Sequence, residues 1–329
     1  MSRAAWLVLV VGCAGAPQAP TYEVGVFKPT AQDSIVPPGS ALEILWQEGD
    51  FTEGPAPAPD GSILFTDIGQ RIMKFDPRTR QTTVTRDPSG KANGLMFDAK
   101  GNLLACEGAG AGGNRRISIT SPAGVVRTLA DRWEGKRFNS PNDLAVTKDG
   151  SVYFTDPRYV GNDPREIDFE GVFLVRPDGT VSLATRDLEK PNGILVSADG
   201  KTAYVADNNS TAKGNHHLLA FRIAPDGRLV DKRILFDIGP DKRGIDGMTL
   251  DVKGNIYATA GRGELGGIYV FDPEGRHLAF IRTPGDPTNC VFGGASEPTS
   301  LYITTATPKK YALARITLAH AGWHVSSPK

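Results

Sequence analysis

NDLAVTKDGSVYFTD (142–156) reads as one β-hairpin: a polar start, a short apolar strand, a Lys-Asp-Gly turn and a second strand rich in β-branched and aromatic residues. The turn glycine permits the positive φ that a tight hairpin needs. The same pattern recurs on both sides. It appears as EGPAPAPDGSILFTD (53–67), NGLMFDAKGNLLACE (93–107), NGILVSADGKTAYVAD (192–207) and DGMTLDVKGNIYATA (246–260). A sixth polar start, Asn289 in TNCV, continues the series. The steps between the six starts are 40, 49, 50, 54 and 43 residues, which is the length of one propeller blade.

A second hairpin follows the first in each unit, as in RIMKFDPRTRQTTVT (71–85), RISITSPAGVVRTLA (116–130), GVFLVRPDGTVSLAT (171–185) and GIYVFDPEGRHLAFI (267–281). Their Asp-Pro and Pro-Asp-Gly turns suit antiparallel connections. Four strands per unit and six units predict an all-β fold, a six-bladed β-propeller with four-stranded antiparallel blades. The sixth unit is short of strands within 289–318. Either ALEILWQ (41–47) or the tail near GWHVSS (322–327) is available to complete it. Closure of this kind ties the chain ends together and removes edge strands. The propeller is expected over 41–329.

The composition agrees. Of 329 residues, 40 % are hydrophobic, enough for a large core, and 38 Gly and 24 Pro suit a turn-rich chain. Lys plus Arg and Asp plus Glu both number 37. This balance gives no reason to expect a nucleic-acid partner or an anionic membrane surface. No nucleophile elbow, HExxH helix, P-loop or dinucleotide fingerprint is present.

At the N-terminus, Arg3 precedes the apolar run AAWLVLVVG (4–12) and Cys13. The run is too short to span a bilayer and fits a signal peptide over 1–12. Val10-Val11-Gly12-Cys13 resembles a bacterial lipobox, so Cys13 is expected to carry the lipid, with an ordinary cleavage near Ala14 to Ala16 as the alternative. Residues 13–40 then read as a Pro-rich tether. The expectation is an exported periplasmic or cell-envelope lipoprotein that meets the membrane only through this lipid. Three cysteines make no disulfide framework, and Cys106 and Cys290 are expected to be buried free thiols.

The six starts, Glu53, Asn93, Asn142, Asn192, Asp246 and Asn289, are carboxylates and amides in one phase of the repeat. Facing one axis, they would offer hard oxygen donors, which suit Ca²⁺ better than Zn²⁺. A lone Asn at a strand start usually caps its own backbone; the matched phase is what favours a metal pocket.

On EGP (53–55), CEGAGAGGNRRI (106–117), EGKRFNSPNDLAV (134–146), SVYFTDPRY (151–159), KPNGILVSADGKTAYVAD (190–207) and DGMTLDVKGNIYATAG (246–261), the chain resembles the SMP-30/gluconolactonase/LRE family of calcium-dependent six-bladed propellers. The resemblance implies metal ligands at Glu53, Asn142, Asn192 and Asp246, with Asp246 also the catalytic base. It implies hydrolysis of a sugar lactone such as glucono-1,5-lactone, with Ca²⁺ as cofactor and Zn²⁺, Mn²⁺ or Mg²⁺ as other candidates. Asn139, Glu107, Asn93 and Tyr159 are the candidate substrate contacts, Tyr159 lying in an insertion over 157–170. Arg115-Arg116 reads as a solvated pair and His216-His217 as a blade edge. Two other readings stay open: a related metal-dependent esterase or organophosphatase, and a non-catalytic propeller whose calcium is structural.

Overall fold

The structure is a computed structural model that describes residues 29–326 except 212, 240 and 241. The signal-peptide and lipidation expectations, Cys13 included, lie outside the described residues.

Each hairpin pair in the sequence becomes one antiparallel sheet of four strands. The first blade comprises Thr52–Pro57, Ile63–Asp67, Arg71–Asp76 and Gln81–Arg86. The second comprises Ala92–Phe97, Leu103–Glu107, Arg116–Thr120 and Val126–Ala130. Inner strands of the third, fourth and fifth blades are Leu144–Val146, Pro191–Val196 and Met248–Leu250. In the sixth, Pro287–Phe292, Ser300–Ala306 and Tyr311–Thr317 are joined by Glu43–Gly49 as the outermost strand. The ring is therefore closed by ALEILWQ and not by the C-terminal tail.

The alternation of side chains explains why the strands are buried on both faces. In the third blade Val152 and Phe154 enter the wedge facing blade two, while Tyr153 enters the wedge facing blade four. The same division holds in the first blade, where Ile63 and Phe65 pack towards blade six and Leu64 towards blade two. Six apolar clusters thus fill six wedges, one between each pair of neighbours. Full burial of each such side chain contributes about 1.5–3 kcal/mol. Cys106 and Cys290 belong to two of these clusters as free thiols.

Hydrogen bonds at the first or second strands join neighbouring blades at every junction around the axis. Thr66 Oγ1 donates to Asn93 O (3.1 Å), Gly94 N to Asn142 O (2.8 Å) and Thr155 Oγ1 to Asn192 O (2.7 Å). Gly193 N donates to Asp246 O (3.0 Å), Gly247 N to Thr288 O (2.8 Å) and Thr288 Oγ1 to Thr52 O (2.8 Å). This closeness explains the glycine after the polar start. A Cβ on Gly193 would stand 2.3 Å from Asp246 O, and one on Gly247 1.9 Å from Asn289 Cγ.

Two segments differ from the expectations. Part of the stretch read as a tether is docked: Gln32–Ile35 is a helical turn, Ile35 is buried in the cluster between blades five and six, and Gln32 Nε2 donates to Phe280 O (3.0 Å). Apolar Ile35 and Val36 gain more from that wedge than from solvent. The C-terminal tail crosses the underside of the ring, with Gly322 N on Pro298 O (2.8 Å) and Trp323 N on Leu250 O (2.9 Å). Trp323 and His324 close the far end of an axial cavity of about 810 Å³.

Candidate metal and active site

All six polar starts stand at the front ends of the inner strands, just ahead of the stretches that line the axial cavity. Four of them are nine-tenths buried: Glu53, Asn192, Asp246 and Asn289. Asn142 and Asn93 are half-buried.

Glu53 Oε2 accepts hydrogen bonds from Gly54 N (2.9 Å) and Asn289 Nδ2 (3.0 Å). The Asn289 amide is itself fixed, because its Oδ1 accepts from Cys290 N (2.8 Å). Asn289 thus orients Glu53, and Oε1 is left without a partner among the described residues. Asp246 Oδ2 pairs with Arg243 Nη2, and the Asn192 amide also hydrogen-bonds this carboxylate. Asn192 Nδ2 donates to Tyr159 Oη (3.3 Å), whose own proton goes to Asn208 O (2.9 Å). Asn142 is held through its backbone, N to Thr155 O (2.9 Å) and O from Gly94 N.

The electrostatics are those of a pocket short of positive charge. Burial raises Glu53 well above the usual carboxylate range, and the charges of Asp246 and Asp143 add to the rise. Burial also raises Asp246, against the opposing Arg243 charge and the Asn192 amide. Asp143 is pushed up to about 7, chiefly by burial. A cation would relieve all three.

The donor set fits such a cation. No three His, Cys, Asp or Glu side chains gather into a metal-ligating group among the described residues, so the pocket draws on two carboxylates and two amides. These are hard donors of the kind Ca²⁺ takes, and four of them leave room within its usual six to eight oxygens. Glu53, Asn142, Asn192 and Asp246 would hold it.

The candidate substrate contacts divide. Tyr159 is 37 % exposed, and its hydroxyl accepts from Asn192 Nδ2 and so holds that amide. Tyr159→Phe removes that hydrogen bond together with the one from Tyr159 Oη to Asn208 O (2.9 Å). Partners that orient a metal ligand are typically worth about 10–100-fold in affinity. Calorimetric titration with Ca²⁺ is expected to show a loss of that size, and an unchanged affinity would leave Tyr159 with substrate alone. Asn93 lies in the ring, its carbonyl bonded to Thr66.

Asn139 and Glu107 do not reach the mouth. Asn139 is fully buried and ties its loop to the 157–170 insertion through Nδ2 to Phe169 O (2.8 Å). Glu107 is fully buried between Arg86 Nη2 (2.5 Å) and Arg116 Nε (2.6 Å), with Asn114 Nδ2 at 2.5 Å. Burial would raise Glu107, but hydrogen bonds from Arg116, Ser118 and Asn114 and the Arg86 charge hold it below the usual range. The repeat shows why. Glu107 ends its second strand where blades one, three and four carry Asp67, Asp156 and Asp207. Each of these accepts two backbone N–H groups from the loop entering its own blade: 50–51, 139–140 and 189–190. Those three acids anchor loops, whereas Glu107 in the same register takes the side chains of Arg86, Asn114 and Arg116. Arg115 and Arg116 are likewise structural and not solvated, Arg115 being buried with Nε on Phe138 O (2.7 Å).

Sequence reasoning missed two residues of this region. Asp143 was visible as the one carboxylate where neighbouring repeats carry glycine. Arg243 stands in a loop that no other repeat shares.

This chain is similar to known proteins. The chain is 31 % identical over 291 residues to the gluconolactonase of Zymomonas mobilis, covering 79 % of this chain and 78 % of that one. The structure of a gluconolactonase from Xanthomonas campestris superposes with a TM-score of 0.76 at 30 % identity, covering 89 % and 93 %. A regucalcin of Agrobacterium tumefaciens, described as a calcium-binding protein, superposes at 0.69 over 86 % and 96 % with 21 % identity, a likeness of fold. Residues 51–307, a span that contains all six polar starts, match the SMP-30/Gluconolactonase/LRE-like region, and the chain belongs to that family.

Proposed function

We propose that this protein is a Ca²⁺-dependent lactonase acting on a sugar lactone such as glucono-1,5-lactone. The observation that carries the reading is the pair of buried carboxylates, Glu53 and Asp246, from blades on either side of the sixth. Protein donors hold each in place, Gly54 and Asn289 at Glu53, and Arg243 and the Asn192 amide at Asp246. The names of the gluconolactonase relatives support the substrate class, and the described calcium binding of the regucalcin supports the ion.

A bound divalent cation supplies Lewis-acid polarisation of an ester carbonyl. The chain's own residues do the rest. Asn289 and Gly54 fix Glu53, Tyr159 fixes Asn192, and the pocket stays pre-organised before substrate arrives. The Asp246 carboxylate takes a proton from the attacking water as its oxygen bonds to the lactone carbon. The ring C–O bond breaks, the ring oxygen leaves as a hydroxyl with that proton, and the product is the aldonic acid.

A panel of sugar lactones and aryl esters, followed by acid release, tests the reading. Sugar lactones are expected to be hydrolysed, the activity lost with EDTA and restored by Ca²⁺. Turnover of aryl esters alone would assign the esterase class, and no turnover with calcium bound would assign a binding module.

A further inference from the structure

Arg243 has no part in the ligand set, yet among the described residues it is the cation that pairs with it. Its guanidinium spans two blades at the channel mouth, with Nη1 donating to Pro287 O (2.6 Å) and Nη2 to Asp246 Oδ2. The two side chains of the ion pair are 14 % and 13 % exposed, so the pair is mostly out of water. The Arg243 backbone is pinned as well, its carbonyl accepting from Gly261 N (2.9 Å). The charged neighbours facing this corner are Asp246 itself, with Glu53 across the pocket, and Asp286 and Arg262 beyond Tyr311. Arg262 is mainly exposed and pairs with Asp286 (3.4 Å).

We propose that Arg243 is a resident counter-cation, a positioning residue that holds Asp246 when no metal is present and competes with the metal for it. The inference rests on the reading of Glu53, Asn142, Asn192 and Asp246 as a cation pocket. Three buried carboxylates in one channel repel one another, and removing the cationic partner of a buried charge is costly. Arg243 relieves that repulsion at Asp246. A divalent ion reaching the same carboxylate meets a fixed positive charge a few ångströms away, in a medium where such repulsion is several times stronger than in water. The guanidinium thus stabilises the metal-free protein and weakens metal binding.

Calorimetric titration with Ca²⁺ alone, at pH 7.5, tests this on the full-length protein and on Arg243→Met. Tighter binding by about tenfold or more is expected in the variant, from the loss of like-charge repulsion. A lower Tm in EDTA and a larger rise in Tm on adding Ca²⁺ are expected with it. A structural role would do the opposite: losing the hold on Asp246 would weaken binding. Arg262→Gln, which removes a charge beyond the ion pair, is expected to change the affinity much less. Should Arg243→Met fold only with Ca²⁺ present, that itself is the expected dependence. Arg243→Lys then gives the affinity comparison, with binding between wild type and the value expected for Met. Equal or weaker binding by the variants, with wild type binding one Ca²⁺, overturns the role of Arg243 alone. Wild type binding no Ca²⁺ overturns the cation pocket and this inference together.

Discussion

Asp246→Asn is expected to lower kcat for lactone hydrolysis by about 10²–10⁴-fold at saturating Ca²⁺, the usual contribution of a general base. The substitution keeps an oxygen donor and nearly the same volume while removing the proton acceptor. It also removes one ligand charge and breaks the pair with Arg243, so weaker metal binding could imitate the loss. Glu53→Gln controls for that. It takes one charge from the same pocket, keeps a side chain that Asn289 and Gly54 still hold, and leaves Asp246 intact. Raising Ca²⁺ should restore much of the activity of Glu53→Gln and little of that of Asp246→Asn. Equal restoration of both would make Asp246 a ligand only.

Glu107→Leu is expected to destabilise the protein by about 3–5 kcal/mol in urea unfolding, because it leaves half-buried cations without their partner. Arg86 and Arg116 are only 17 % and 23 % exposed at the side chain, so water replaces the carboxylate poorly. The folded fraction should keep its kcat/KM. A variant with native stability and a raised KM would instead return Glu107 to the substrate. The contrast matters because Glu107 lies beside the mouth in sequence but beside the blade junction in space.

That contrast marks where the sequence could be read and where it could not. The blades were legible because each hairpin is local: a strand, a turn with Asp or Gly, and a second strand, all within fifteen or so residues. The phase of Glu53, Asn142, Asn192 and Asp246 was legible for the same reason, since a ring of like units turns equal phase into a common axis. Interactions between blades carry no such signal. Arg86 reaches Glu107 from the outermost strand of the preceding blade. Tyr159 meets Asn192 from an insertion in blade three. Arg243 finds Asp246 from a loop unique to blade five. The closing strand was one of two options in the sequence, and packing chose between them: Leu45 and Trp46 fit the wedge between blades six and one, while Trp323 covers the far end of the cavity. The loop-anchoring role of Asp67, Asp156 and Asp207 was present in the repeats as a shared terminal acid, a register that Glu107 shares while binding the side chains of Arg86, Asn114 and Arg116 instead.

A crystal structure of the protein grown with Ca²⁺ tests the account at its centre. The ion should be bound at the front of the channel with oxygens of Glu53, Asn142, Asn192 and Asp246 at about 2.3–2.6 Å. Calcium bound elsewhere, or any two of these four oxygens more than about 8 Å apart where one ion must span them, would contradict it.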